Sequence, residues 1–326
     1  MRSKTGTAAK IWLLTVLILR LKGTFLPAFC EGIGQILPGG ALDLEVVEDA
    51  VYSVSQSGLI RHQENQDKLV FVPPFRITSL ARTTVSEEGE GFLLAGGEPG
   101  VFGAVGFYAI DTGAFRSVRV GDDLVYDVGF SEKSGDVVVG CADGKVLSSG
   151  LSEVADGGLE VRMTHTAPVR AVAVSSDGRH LASAGLDGLV LLAELGSGDK
   201  PIPILDHTDK VESVVFTPNS EQLLSGGRDG KVRLHSLDGR LLRTFSKLGG
   251  LELPDPWERQ NQILVLAPQP KGEFVLVGSS LGYVFRLSEL GDTSEIIARF
   301  PNPVRAISVS ETGVYVGTDR VRRLVD

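Results

Sequence analysis

A stretch of this chain returns 42 residues later, and that repeat restricts the possible folds more than any other feature. His165-Thr-Ala-Pro-Val-Arg-Ala-Val-Ala-Val-Ser-Ser-Asp-Gly is followed by Ser183-Ala-Gly-Leu-Asp-Gly. The second copy is His207-Thr-Asp-Lys-Val-Glu-Ser-Val-Val-Phe-Thr-Pro-Asn-Ser, followed by Ser225-Gly-Gly-Arg-Asp-Gly. Each copy opens with an alternating apolar strand (a) and turns at Asp177-Gly178 or Asn219-Ser220. It continues through a second strand (b), Leu181 to Ala184 or Leu223 to Gly226. An Asp-Gly pair, Asp187-Gly188 or Asp229-Gly230, is a strong hairpin signal and leads into a third strand (c). A period of about 40 to 45 residues with four short strands per unit is the mark of a β-propeller.

Looser copies fill the rest of the chain. Strand-a starts fall near Leu42, Ile77, Val125, Val169, Val211, Ile263 and Val304. The expected fold is all-β, a seven-bladed β-propeller over residues 31–326. The long second spacing reads as an expanded b–c loop at Gly96 to Gly103, and the long fifth one as a loop from Leu248 to Gln262. The chain ends just after strand c of the last blade, so an N-terminal strand at Gly34 to Pro38 is expected to supply the missing fourth strand and close the ring.

The two clearest units resemble WD repeats. In that family a His before strand a, a Ser or Thr in strand b and an Asp in the b–c turn form a hydrogen-bonded network with a Trp of strand c. His165, Ser183 and Asp187, and likewise His207, Ser225 and Asp229, occupy the first three places. The Trp-Asp dipeptide is replaced by Ala193-Glu194 and His235-Ser236, so the repeats are degenerate. The resemblance, closest to degenerate bacterial and exported members, implies a protein-interaction scaffold.

Residues 1–30 read as a signal peptide or N-terminal membrane anchor. Arg2, Lys4 and Lys10 precede the apolar run Ile11 to Leu19, and Ala28-Phe29-Cys30 resembles a cleavage site. This nine-residue run is too short to span a bilayer. Export to the periplasm or cell exterior is the expected localisation, with contact to a membrane only through this segment if it is retained. That segment holds five basic residues and no acidic one, leaving 27 basic against 41 acidic residues in the remainder. Nucleic acid is therefore not an expected partner, because a phosphate backbone is bound through clustered Lys and Arg.

No catalytic or metal site is expected. Cys30 and Cys141 cannot build a disulfide framework or a four-ligand zinc site. His62, His165, His180, His207 and His235 lack metal-binding spacing. Gly278-Ser279-Ser280-Leu281-Gly282 has the form of a nucleophile elbow, but it aligns with a hairpin rather than a strand-to-helix turn. No cofactor is expected.

What remains is the opening of the propeller. The residue after the first apolar position of strand a is expected to face it: Asp43, Thr78, Tyr126, Arg170, Glu212, Leu264 and Arg305. Tyr126, Arg170, Glu212 and Arg305 form the candidate surface for a protein or peptide, since Tyr and Arg are favoured anchors. Phe102 and Trp257 are further aromatic candidates. Two alternatives remain open. One is an enzyme of the lactonase or dehydrogenase kind on the same architecture, for which only Asp43 and Glu212 offer acids. The other is a membrane-tethered assembly subunit.

Overall fold

A computed structural model describes residues 30–33, 41–48, 50–63, 66–85, 89–154, 156–253, 260–272, 274–288 and 293–324. Blade 1 comprises β2 (Asp43–Val47), β3 (Ala50–Ser55), β4 (Gly58–Gln63) and β5 (Gln66–Phe71). Blade 2 comprises β6 (Arg76–Val85), β7 (Gly89–Glu98), β8 (Phe102–Ala109) and β9 (Phe115–Gly121). Blade 3 comprises β10 (Val125–Phe130), β11 (Asp136–Cys141), β12 (Lys145–Gly150) and β13 (Glu160–Thr164), with one helical turn, α1 (Leu151–Val154), after β12. Blade 4 holds β14 (Val169–Val174), β15 (His180–Gly185), β16 (Val190–Glu194) and β17 (Ile202–Ile204). Blade 5 holds β18 (Val211–Phe216), β19 (Gln222–Gly227), β20 (Val232–Ser236) and β21 (Leu241–Phe245). Blade 6 holds β22 (Ile263–Pro268), β23 (Phe274–Ser279), β24 (Tyr283–Ser288) and β25 (Ser294–Arg299). Blade 7 is β26 (Ala306–Ser310), β27 (Gly313–Gly317) and β28 (Val321–Leu324), completed by β1 (Cys30–Ile33).

Each blade is an antiparallel sheet of four strands in chain order, and each inner strand touches the next, with β26 returning to β2. The fold is the expected seven-bladed propeller. A blade packs on both faces, so its middle strands are buried almost without a break, as in Val137 to Cys141 and Leu181 to Gly185. Outer strands such as Glu160–Thr164 keep one face in water and alternate less cleanly. Among the described residues the apolar core divides into seven clusters, one at each junction between neighbouring blades. The blades converge toward the axis, which explains a recurrent glycine in strand b. A Cβ at Gly140, Gly226 or Gly278 would come within 2.7, 2.5 and 2.5 Å of the Val169, Ile263 and Val304 side chains of the next blade.

The structure departs from the sequence expectations in three places. The closing strand described is Cys30–Ile33, just ahead of the expected segment, paired with Val321–Leu324 from Cys30↔Leu324 to Ile33↔Val321, while Gly34 to Pro38 lies outside the described residues. A four-residue strand suffices because it only fills an outer edge. Blade 2 takes up its extra length by extending β6 and β7 to ten residues each, so Gly96 and Gly97 lie within a strand. Phe102 accordingly begins β8 and is half-buried instead of standing on a loop. Residues 1–29 and Trp257 lie outside the described residues.

Polar side chains stitch neighbouring blades at the axis. Inner strands expose one row of backbone N–H groups, and three of these are capped by the preceding blade. Asp43 Oδ2 accepts from Leu80 N at 3.0 Å, Asp127 Oδ2 from Val172 N at 2.8 Å, and Ser213 Oγ from Leu266 N at 3.1 Å. These occupy equivalent places in blades 1, 3 and 5. Ser213→Ala uncaps the Leu266 N–H and is expected to cost about 1 kcal/mol, seen as a lower denaturant midpoint at unchanged slope.

Candidate functional site

The inner strands begin with a bulge, and the bulge aims one side chain per blade at the opening. In blade 3 Val125 pairs with Cys141 and Asp127 with Gly140, leaving Tyr126 unpaired. The same register shift isolates Thr78, Arg170, Glu212 and Leu264. An extra residue bends the strand and re-aims its side chain. Arg305 stands at the corresponding point of blade 7, its N–H bonded to Gly317 O at 3.0 Å.

Arg170, Glu212, Leu264 and Arg305 come together around one cavity of about 300 Å³, which Arg228, Gln262, Ser280 and Pro303 complete. Glu212 Oε2 accepts from Arg170 Nε at 3.1 Å, and Oε1 from Arg228 Nε at 2.5 Å. The Glu212 side chain is only 5 % exposed, whereas those of Arg170 and Arg228 are 41 and 37 % exposed. The carboxylate therefore orders the two guanidinium groups and leaves them facing water. Arg305 is exposed. Tyr126 does not line the cavity; its ring lies 5.8 Å beneath the Arg170 guanidinium and holds it by a cation–π contact. Thr78 is turned away, donating to the Val125 carbonyl at 2.6 Å.

Asp43 is not on this ring. Leu42 occupies the matching position, and Asp43 sits one residue deeper, where its equivalents are Ser79 and Asp127. Ser79 Oγ lies 2.9 Å from Asp43 Oδ2 and 2.7 Å from Asp127 Oδ1. One hydroxyl proton serves one carboxylate at a time, so the second contact is a hydrogen bond only when an aspartic acid donates it. Burial, and then the neighbouring Asp127, push the Asp43 carboxyl up to about 6. Burial also raises Asp127. Burial and Asp43 together push Glu45, two residues along β2, up to about 7. Asp43 and Glu212 are thus in separate environments, and no group of three or more His, Cys, Asp or Glu able to hold a metal ion occurs among the described residues.

The repeat residues lie where the two matched units place them. His165 Nε2 is 2.8 Å from Ser183 Oγ, and its Nδ1 is 3.0 Å from Asp187 Oδ1. His207 repeats this with Ser225 at 2.8 Å and Asp229 at 3.2 Å. Each set has the order of a Ser-His-Asp triad, yet Ser183 and Ser225 are 0 % exposed, so no substrate can reach either hydroxyl. Each set instead ties the segment before strand a to strand b and the b–c turn.

Several contributors escape the sequence reading. Arg233 stands where blade 4 has Leu191, and its Nη1 lies 2.7 Å from Asp229 Oδ2 and 2.7 Å from His207 Nδ1. Burial pushes Asp229 upward, but His207 and Arg233 outweigh it and hold the carboxyl far below the usual range. His235, in strand c where the missing Trp belongs, bonds Asp206 at 3.0 Å and is lowered chiefly by burial. Blade 1 carries a further set built differently, with His62 on strand c bonding Ser53 and Asp67, each at 2.7 Å. Arg228 is visible in Ser225-Gly-Gly-Arg-Asp-Gly and could have been found by noting that b–c turns and strand-a starts share one end of a blade. Ser280, the elbow serine, donates to Gln260 O and accepts from Gln262 N at 2.8 Å, as a turn residue does. Cys141 is buried, and burial pushes its thiol up to about 12, so it behaves as a small apolar side chain.

The family model "WD domain, G-beta repeat" matches residues 159–192 and 199–236, which span strands of blades 3 to 5. The chain is 22 % identical over 208 residues to a Periodic tryptophan protein 2 homolog of Caenorhabditis elegans, covering 62 % of this chain and 22 % of that protein. It is 26 % identical over 210 residues to Autophagy-related protein 16 of Arabidopsis thaliana, covering 63 % of this chain and 39 % of that one. A shorter match, 37 % over 76 residues, relates 23 % of this chain to 23 % of the Small ribosomal subunit protein RACK1 of Brassica napus. The chain thus spans well under half the length of these relatives. Among solved structures, the WD40 β-propeller domain of Doa1 superimposes with a TM-score of 0.73 at 18 % identity, over 92 % of this chain and 97 % of that one.

Proposed function

Because this chain belongs to the WD-repeat β-propeller family, we propose that it is a non-enzymatic scaffold that presents the opening of its channel to a protein or peptide partner. The observation that carries this reading is the arginine-lined cavity at the starts of β14, β18, β22 and β26. Arg170 and Arg228 are held by Glu212 yet remain accessible, and Arg305 stands exposed beside them, the setting in which arginine acts as an anchor. Similar proteins bear names that place them in assemblies, a small ribosomal subunit and a U4/U6 small nuclear ribonucleoprotein. The buried Ser-His-Asp sets support a structural rather than a hydrolytic role.

The test is affinity capture with the intact protein beside an Arg170→Glu, Arg305→Glu variant of matched thermal stability. A partner retained by the parent and lost by the variant is the expected result. An identical set of partners on both would move the contact surface elsewhere on the ring.

A further inference from the structure

The cavity at the channel opening has more cation than it uses. Among its lining residues three arginines surround a single glutamate. Glu212 takes the Nε–H of Arg170 and of Arg228, one on each carboxylate oxygen. The terminal nitrogens of both guanidinium groups are left without a hydrogen-bond partner among the described residues, as is the guanidinium of Arg305. Leaving an Arg fork unpaired beside a buried carboxylate gains nothing for the fold. The same fork is the group best matched to a carboxylate or phosphate, which it binds through two parallel hydrogen bonds. The excess is also local, since the whole chain carries a net charge of −9.

Size and lining narrow the ligand further. About 300 Å³ is at the small end for a bound organic molecule and suits one side chain rather than a cofactor. Leu264 and Pro303 give an apolar wall for a methylene stem, while Arg170, Arg228 and Arg305 face its tip. Ser280 is committed to Gln260 and Gln262 and does not compete for the ligand.

We propose that this cavity is a subsite for one anionic side chain of the bound peptide, a carboxylate or a phosphate gripped by Arg305 with the terminal nitrogens of Arg170 and Arg228. The inference rests on the scaffold reading above and specifies what its surface recognises. The mechanism is a charge-assisted, bidentate contact ordered in advance by Glu212.

The test is a synthetic hexapeptide array, randomised at each position and including phosphoserine, probed with the parent and with Arg305→Gln. That residue has no partner to lose, so the variant is expected to fold normally. A second variant, Glu212→Gln with Arg228→Gln, removes an ion pair together and avoids stranding a buried charge. The expected result is enrichment of an anionic residue at one position, with affinity for the selected peptide falling about ten-fold in Arg305→Gln and weakening as salt is raised. Enrichment of Asp and Glu would identify a carboxylate ligand, and of phosphoserine alone a phosphate ligand; either supports the subsite. Peptides that bind the parent and lose binding with Leu264→Ala, yet carry no conserved anion, would overturn the subsite and leave the scaffold reading standing. An array with no peptide bound above the variants' background would overturn both.

Discussion

Asp229→Ala is expected to lower stability by about 3–5 kcal/mol, and Asp187→Ala, its counterpart one blade earlier, by only about 1–3 kcal/mol. Both substitutions strip a buried histidine of its carboxylate and uncap backbone N–H groups, Thr166 and Leu189 in blade 4, Thr208 and Lys231 in blade 5. The difference is Arg233, whose side chain is 5 % exposed and whose ion pair is Asp229. Removing the aspartate leaves a guanidinium buried without a counter-charge. Blade 4 shows that the His-Ser-Asp set does not need this cation, since Leu191 sits in its place. The double variant Asp229→Ala, Arg233→Leu should therefore be more stable than Asp229→Ala alone and approach Asp187→Ala. Urea unfolding of the parent, Asp229→Ala, Asp187→Ala, Arg233→Leu and the double variant measures this directly, and strict additivity of Asp229→Ala and Arg233→Leu would show that Arg233 is not coupled to Asp229.

The second large effect is the pH dependence of the buried carboxyl cluster at the axis, read as the difference between the parent and Glu45→Gln. Asp43 and Glu45 are raised in the folded protein, so the folded state holds their protons more tightly than the unfolded chain. Their stabilising contribution is complete below about pH 4 and is lost as the pH climbs through about 6 and 7. Asp187 and Asp229 are lowered, so their contribution is present above the unfolded carboxylate range and is lost as the pH falls through and below it. His62 and His235 are lowered chiefly by burial, so their contribution is present above the ordinary imidazole range and is lost as the pH falls below it, opposite in sign to Asp43 and Glu45. Asp127 lies on the Asp43 side of the cluster, Arg82 faces Glu45 and Arg170 faces Asp127, each within its electrostatic reach. From pH 8 to pH 5 the carboxyl cluster should contribute a gain of about 2 kcal/mol after allowance for water in the channel, or about 3–5 °C in melting temperature, which the two histidines offset in part. Glu45→Gln leaves both histidines in place and should remove more than half of the cluster's gain by stabilising the protein at pH 8. A difference in melting temperature between parent and Glu45→Gln that stays flat from pH 5 to pH 8 would show that the cluster is solvated and ordinary.

The propeller is legible in the sequence because its period survives the loss of its signature residues. Blades pack through alternating apolar positions and a close-approach glycine, and those are set by geometry that every blade shares. The Val125, Val169, Val211 and Ile263 starts coincide with the observed strands for this reason. Asp43 is misplaced by one residue because strand a of blade 1 is preceded by Ala41 and Leu42, which offer two candidate first apolar positions. The elongated hairpin of blade 2 is hidden because Gly-rich segments read as loops even where glycine is kept in a strand. Half of the candidate site is visible as the second residue of strand a. Arg228 and the Glu212 ion pairs are not, because they arise from turns and strands 16 and 42 residues apart in sequence. Arg233 and His235 follow no repeat pattern at all, each replacing what its neighbour blade has with different chemistry.

The ring is sealed by β1 lying antiparallel to β28, with Cys30 opposite Leu324. Those two residues sit side by side at the same end of the pair, so a mechanical load applied between them would not shear the four-residue ladder as a block. It would peel the ladder like a zip, meeting one rung at a time, beginning at Cys30 and Leu324. Tension along the chain at these two points would open the circle at low force, whereas pulling across any other blade must break a core junction.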